Sequence, residues 1–411
     1  MISLPPARKT HLRATDLRGV GRLAVDATLG LTGLVEHLHH NILRTPGPLG
    51  AVSERPTGGI TGLVYRSIRG VTRLVGGSVD ALLGQVVSLL GPSEVPPSAE
   101  REAVLSALNG VLGDHLEATH NPLAITMALR HDGLPLVIDA EALARAVPQA
   151  RRRVLLMVHG LCMNPLQWRR NGHDHGAALA AEGGFTPLYL HYNSGLHISS
   201  NGRLLADRLQ ALVDAWPVPL EEIVILGHSM GGLVARSACH QAQARGDVWP
   251  QRLTKMVFLG SPHHGASLER GGHWIDVILG ASPYTAAFAR LGKLRSAGIT
   301  DLRHGSLLDA DWAEAVTSTK AGDHRTRVPL PEAVACYAIA GSLGAEAGAL
   351  REKLLGDGLV PLASALGRHR VKSRALNFAP DNTWVGQGMN HLDLLVRAEV
   401  LAQLRAWLLP A

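Results

Sequence analysis

The chain has 411 residues, 46% hydrophobic and 18% charged, which is ample material for a large core and excludes wholesale disorder. Aromatic residues at 4% argue against a stacking platform for single-stranded nucleic acid, and three cysteines exclude a disulfide scaffold. The formal charge of +6 lies in the first 75 residues, where ten basic side chains face four acidic ones, and the remaining 336 residues balance at thirty each. A nucleic-acid enzyme usually carries its basic patch on the working domain, so nucleic acid is not an expected partner.

The start of the chain is basic and lacks the apolar run of a secretion signal before Asp16. The apolar stretches at 60–90 are interrupted by Arg66, Arg69, Arg73 and Asp80, so no membrane span is read and a cytoplasmic location is expected. Residues 16–44 and 60–91 read as helices parted by the Pro/Gly-rich RTPGPLGAVSERPTGG. The intervals of three, four and seven between those charged residues place a polar stripe on one face of the second helix. A further break, GPSEVPPSAE, precedes a third helix over 101–113. Residues 1–120 are thus expected to be a helical accessory segment.

From about 125 strands and helices alternate. Met127–Arg130 and Leu134–Ile138 flank the turn signal His131-Asp132-Gly133. Short apolar runs follow at 153–158, 186–191, 222–226, 255–259 and 335–340, with helical stretches at 201–216 and 232–244. A hairpin followed by repeated strand–helix units predicts an α/β domain over 121–411, a mostly parallel sheet with helices on both faces. Residues 266–334, with helical stretches at Trp274–Leu279 and Ala286–Leu294, read as a cap insertion or as a solvent-facing excursion.

The strongest chemical signal is Ile223-Val224-Ile225-Leu226-Gly227-His228-Ser229-Met230-Gly231-Gly232, an apolar strand running into G-x-S-x-G and then into a helix. A sharp strand-to-helix turn exposes Ser229 as a nucleophile and demands nearly side-chain-free neighbours at Gly227 and Gly231. An oxyanion hole needs two converging backbone N–H groups, one from the residue after the nucleophile and one from an earlier loop. Met230 supplies the first. The strand at 153–158 exits through His159-Gly160-Leu161, which makes Leu161 the second donor, with Gly160 permitting close approach.

These segments, with Gly260-Ser261-Pro262-His263-His264-Gly265, resemble the α/β-hydrolase superfamily, in its bacterial lipase- and esterase-like branch that includes PGAP1-like hydrolases. The resemblance covers about 125–411 and implies a triad in the order Ser, Asp, His. Asp357 in Gly356-Asp357-Gly358-Leu359-Val360 is similar to the segment that carries the lipase aspartate, and His391 in Asn390-His391-Leu392-Asp393 to the segment that carries the histidine. His263 and His264 compete as base, and Asp393 competes as acid. Some related lipases use the residue matching Asp393 to bind calcium; no clear second carboxylate is evident here, so no metal ligand is assigned and a calcium site at Asp393 stays open, while no cofactor is required.

The resemblance implies a serine carboxylic-ester hydrolase acting on small-molecule or lipid-like esters. Rival functions are an acyltransferase, a thioesterase or an intracellular polyester depolymerase on the same triad, and a non-catalytic protein of a lipid or granule surface. The N-terminal helices are expected to pack on the core and to present Arg66, Arg69 and Arg73 to an anionic lipid surface. Glu36-His37-Leu38-His39-His40 has helical metal-ligand spacing, but a polar helix face is the simpler account. His173-Asp174-His175 reads as a loop or a helix cap, and Cys162, Cys239 and Cys336 as buried free thiols.

Overall fold

The computed structural model describes residues 13–44, 59–90, 98–266, 296–312, 325–344 and 356–409, with the side chains of 14, 33–44, 59–62 and 86–90 left aside. The Glu36–His40 cluster lies outside the described side chains. The helical stretches expected at Trp274–Leu279 and Ala286–Leu294, with much of the 266–334 insertion, lie outside the described residues. The chain divides into two compact units: Met1–Arg101 with Leu116–Ala124, and Glu102–His115 with Ile125–Ala411.

In the smaller unit, α1 (Ala14–Arg44) packs against α2 (Gly59–Leu90). Asp80 of α2 accepts from Arg22 Nε (2.6 Å) and Arg18 Nε (2.8 Å) of α1, and these hydrogen bonds hold its carboxyl well below the usual carboxylate range. The opposite edge of α2 carries Val64, Ile68, Val71, Val75, Val79 and Leu82, all exposed. At 100° per residue, Arg66 and Arg73 fall on the far side of the helix from that apolar stripe. No described helix is long and apolar enough to cross a membrane.

The larger unit is built on an eight-stranded sheet of order β2-β1-β4-β3-β5-β6-β7-β8. The strands are β1 (Ala128–His131), β2 (Leu134–Pro135), β3 (Arg153–Val158), β4 (Phe185–His191), β5 (Glu222–His228), β6 (Leu253–Leu259), β7 (Ala335–Ser342) and β8 (Thr383–Gln387). The β1–β2 hairpin and the β1–β4 pair are antiparallel, and every other pair is parallel. The expected hairpin and parallel sheet are thus present. The edge strand β8 was not legible, because Thr383-Trp384-Val385-Gly386-Gln387 is half-buried and lacks an apolar run.

Side-chain alternation divides the core into two layers. Val154, Leu156, Val158, Ile223, Ile225, Met256 and Phe258 face one layer, where α6 (Ile198–Ala215) and α7 (Met230–Arg245) cover them. Leu155, Met157, Val224, Leu226, Val257 and Leu259 face the other, under α5 (His175–Gly183) and the C-terminal helix (Ala398–Leu408). Asp174 caps α5 by accepting from the Ala177 N–H (3.1 Å), so His173-Asp174-His175 is a helix cap. The helix α3 (Ala99–Ala118) gives its middle to this unit, where Glu102 accepts both terminal guanidinium nitrogens of Arg130 on β1 at 2.9 Å.

The chain leaves β3 for β4 on one side and then returns to β5 on the other, so β3 and β5 are neighbours at the switch of strand order. Such a switch opens a crevice beyond the carboxyl ends of the two strands, the place where doubly wound sheets bind ligands. Among the histidines around this end, burial holds five deprotonated. His159, His175 and His264 are pushed down to about 4, and His228 and His263 lie well below their ordinary value.

The unfolded chain binds a proton on each of these rings below about pH 6.5, and the folded protein does not, so stability is present above that pH and lost as it falls. We expect the urea midpoint to be nearly constant from pH 8 to 7. Between pH 6.5 and 5 the unfolding free energy should fall by more than the roughly 1.4 kcal/mol per pH unit that one proton supplies. A slope at or below the one-proton value would show that these rings titrate alike in both states.

Candidate active site

Ser229 stands between β5 and α7 with φ 54° and ψ −123°, a backbone conformation that side chains rarely adopt. Its N–H donates to Leu259 O on β6 (2.8 Å), and its carbonyl accepts from Gly232 N–H (3.2 Å), which fixes the turn. A Cβ on Gly231 would lie 2.2 Å from Val158 O and 2.6 Å from His159 O, and one on Gly227 would lie 2.6 Å from the Cα of Gly232. Those contacts are backbone against backbone and cannot yield, which is why both positions around Ser229 are glycine.

The second loop leaves β3 at His159. Gly160 lies so near Ser229 that a Cβ there would reach the Ser229 Cβ at 3.0 Å. Met230 is the first residue of α7, so its N–H belongs to the group a helix leaves without an intrahelical acceptor. Leu161, the residue after Gly160, is buried, and the next N–H, of Cys162, is taken by Ser194 Oγ at 3.0 Å. His159 is occupied with holding this loop: its Nδ1–H donates to Gly160 O (2.8 Å), its ring stacks on Tyr192 at 4.4 Å, and its carbonyl accepts from the Tyr192 hydroxyl (2.8 Å).

Asp357 and His391 meet in a buried pair. His391 Nδ1–H donates to Asp357 Oδ2 at 2.6 Å, and the His391 N–H donates to the Asp357 carbonyl at 3.1 Å. The other carboxylate oxygen accepts from the N–H groups of Leu359 (3.0 Å) and Val360 (2.8 Å), so the turn in which Asp357 sits also orients it. His391 Nε2 is buried and has no hydrogen-bond partner among the described residues. His228, next to Ser229, donates through Nε2–H to the His391 carbonyl (3.2 Å), and the two rings lie 4.6 Å apart.

The competing residues are committed elsewhere. His263 Nδ1 accepts from Arg236 Nη1 (3.2 Å), since a guanidinium can only donate, and His264 Nε2–H donates to Gly367 O (3.0 Å). Asp393 is half-buried, and its Oδ2 accepts from the Asn390 N–H (2.8 Å) and steadies the turn that bears His391. Among the described residues, no three His, Cys, Asp or Glu side chains gather as a metal site. The three cysteines are buried and free, and burial pushes each thiol up to about 12, so they are poor nucleophiles. Sequence reasoning missed Tyr192 and Ser194, which hold the Leu161 loop from a segment with no motif of its own.

Residues 149–328 match the family model described as PGAP1-like alpha/beta domain, a range that contains Leu161, Ser229 and Met230 and ends before Asp357 and His391. No curated protein matches the chain in sequence. Among solved structures, it is similar to the mature lipase BlEst2 of Bacillus licheniformis, at 17% identity over 64% of this chain and 94% of that one, with a TM-score of 0.39. It is also similar to an esterase of Pyrobaculum calidifontis (14% identity, 63% and 76% covered, TM-score 0.37). A third likeness is to YbtT, a type II thioesterase of the yersiniabactin pathway (15% identity, 63% and 93% covered, TM-score 0.38). Over residues 149–328, less than half of its length, the chain is similar to the PGAP1-like alpha/beta domain family.

Proposed function

We propose that the protein is a serine hydrolase that cleaves carboxylic esters through an acyl-enzyme on Ser229. The observation that supports this reading best is the buried Asp357–His391 pair, which leaves His391 Nε2 without a partner among the described residues, its ring beside that of His228, the residue before Ser229. His391 Nε2 takes the Ser229 proton as Oγ attacks the ester carbonyl, and the C=O electrons move onto oxygen. The N–H groups of Leu161 and Met230 stabilise that oxyanion, and the N-terminus of α7 adds the favourable end of its dipole. Collapse of the intermediate breaks the C–O bond, and His391 gives its proton to the departing alcohol. The same ring then activates water, which releases the acid and restores Ser229.

Asp357 keeps Nδ1 protonated, so that Nε2 is the basic nitrogen, and it stabilises the imidazolium formed during attack. A hydrophobic or lipid-like ester is the substrate class within this proposal. The chemistry of the site serves thioesters equally, so hydrolysis of matched oxygen and sulfur esters decides between an esterase and a thioesterase.

A fluorophosphonate probe is expected to label Ser229 and no other serine. Ser229→Ala should lower kcat by several orders of magnitude while leaving the urea midpoint close to that of the parent protein. Robust turnover by the alanine variant ends the assignment.

The acid is tested separately. Asp357→Asn removes the acceptor that fixes the His391 tautomer, and kcat should fall by about 10^4. Asp393→Asn, whose oxygen only caps a turn, should keep at least a tenth of the parent rate. The reverse ranking, or loss of activity in EDTA, would replace Asp357 with Asp393 or with a metal.

A further inference from the structure

The Leu161 N–H lies in the loop that follows β3. The loop turns at Cys162, a residue with φ 58°, in the left-handed region that side chains avoid. Such strain persists only where the surroundings enforce it. Three contacts do so. The Cys162 N–H donates to Ser194 Oγ at 3.0 Å, its thiol lies 3.9 Å from the Ala107 carbonyl of α3, and Gly110 of α3 lies directly on it. A Cβ at Gly110 would stand 2.1 Å from Cys162 Sγ and 3.0 Å from the Cys162 N and Cα atoms. With its thiol pushed up to about 12 by burial, Cys162 has a steric role here and no reactive one.

One turn further along α3, the helix meets the segment that supplies Ser194. A Cβ at Gly113 would stand 1.9 Å from Asn193 Oδ1 and 3.0 Å from the Cα of Gly195. Asn193 Nδ2 donates to the Gly113 carbonyl (2.9 Å), while its Oδ1 accepts from the Gly195 N–H (3.1 Å). The same face of α3 continues to the start of the helix Ala297–His304. There the Ser296 hydroxyl donates to the Gly110 carbonyl (2.6 Å), and the Ala297 N–H donates to Asp114 (2.8 Å). Two glycines three residues apart therefore let one helix press on both segments that determine where the Leu161 N–H points.

We propose that α3 is a positioning element of the oxyanion hole, with Gly110 and Ser194 as its positioning residues: together they lock Cys162 in its left-handed conformation and so aim the Leu161 N–H at the transition state. The inference rests on the serine-hydrolase reading of Ser229. Its consequence is selective. A displaced Leu161 N–H weakens stabilisation of the tetrahedral intermediate and leaves ground-state ester binding largely intact, so kcat falls while KM holds.

The test compares the parent, Gly110→Ala, Ser194→Ala and the double variant Gly110→Ala/Cys162→Gly on p-nitrophenyl butyrate. Affinity for butaneboronic acid, which forms a tetrahedral adduct on the serine, is measured beside affinity for butyrate, which does not. Loss of one oxyanion donor costs roughly 10²–10³ in kcat, so Gly110→Ala should lose at least tenfold with KM within about twofold. Boronate affinity should weaken in step with kcat, and butyrate affinity should stay. The double variant removes Sγ, the atom met at 2.1 Å, and gives a residue at ease with φ 58°, so it should recover most of the loss.

Parent-like kcat in Gly110→Ala, a loss confined to KM, unchanged boronate affinity, or no recovery in the double variant each overturns the proposal. Should Gly110→Ala fail to fold, Ser194→Ala decides: a fall of about tenfold in kcat at constant KM upholds the proposal, and parent-like kcat overturns it. Esterase activity in the parent that disappears in Ser229→Ala keeps this outcome separate from any failure of the serine-hydrolase reading itself.

Discussion

Everything at the site depends on the start of α7 lying against the end of β3. Gly231 sits beneath the carbonyls of Val158 and His159, closer than any side chain allows. This approach bends the chain into the strained geometry of Ser229 and holds it over the loop that contains Leu161. The parallel pairing of β3 with β5 sets the two strand ends level, with Val158 opposite Gly227. The strain at one residue is held by a sheet whose strands are buried on both faces, so the cost falls on the core and the geometry survives at the site.

Electrostatics then selects one ring among several. Burial makes His159, His228, His263 and His264 poor proton acceptors. His159 and His264 donate to backbone carbonyls, His228 donates to the carbonyl of His391, and His263 accepts from Arg236. Among these rings, only His391 faces a carboxylate. A carboxylate partner stabilises the charged ring that a general base must become, whereas a carbonyl partner does so only weakly. The other histidines therefore act as neutral hydrogen-bonding pieces of the wall, and His391, with a carboxylate behind it, is the ring proposed as the base.

Much of this was legible in the sequence because it is local. The β5–α7 elbow is written in ten consecutive residues, and the apolar runs of β3 to β7 mark a parallel sheet without reference to their order. The turn that holds Asp357 is equally local, since its carboxylate accepts from residues two and three places on. What stayed hidden depends on separated segments. Asp80 looked like part of a polar stripe on α2, whereas its partners, Arg18 and Arg22, lie about sixty residues earlier. Ser194 carries no motif, and only the three-dimensional approach of Cys162 gives its hydroxyl a purpose.

The division of labour along the chain follows from the same contrast. The proposed nucleophile Ser229 and the proposed oxyanion donors Leu161 and Met230 lie within 149–328, the range that matches the PGAP1-like alpha/beta domain model, beside strand ends that pair in register. Asp357 and His391, the proposed acid and base, come from later turns, where Asp357 is oriented by the N–H groups of its own neighbours and then pairs with His391. The Leu161 loop has neither advantage: it ends no helix, forms no ladder and contains a residue in a disfavoured conformation. A loop of that kind has to borrow rigidity, and its surroundings supply it from Tyr192, Ser194 and the face of α3. The residue types on that face follow from this need, because only glycine at 110 and 113 brings a helix backbone near enough to hold another backbone in place.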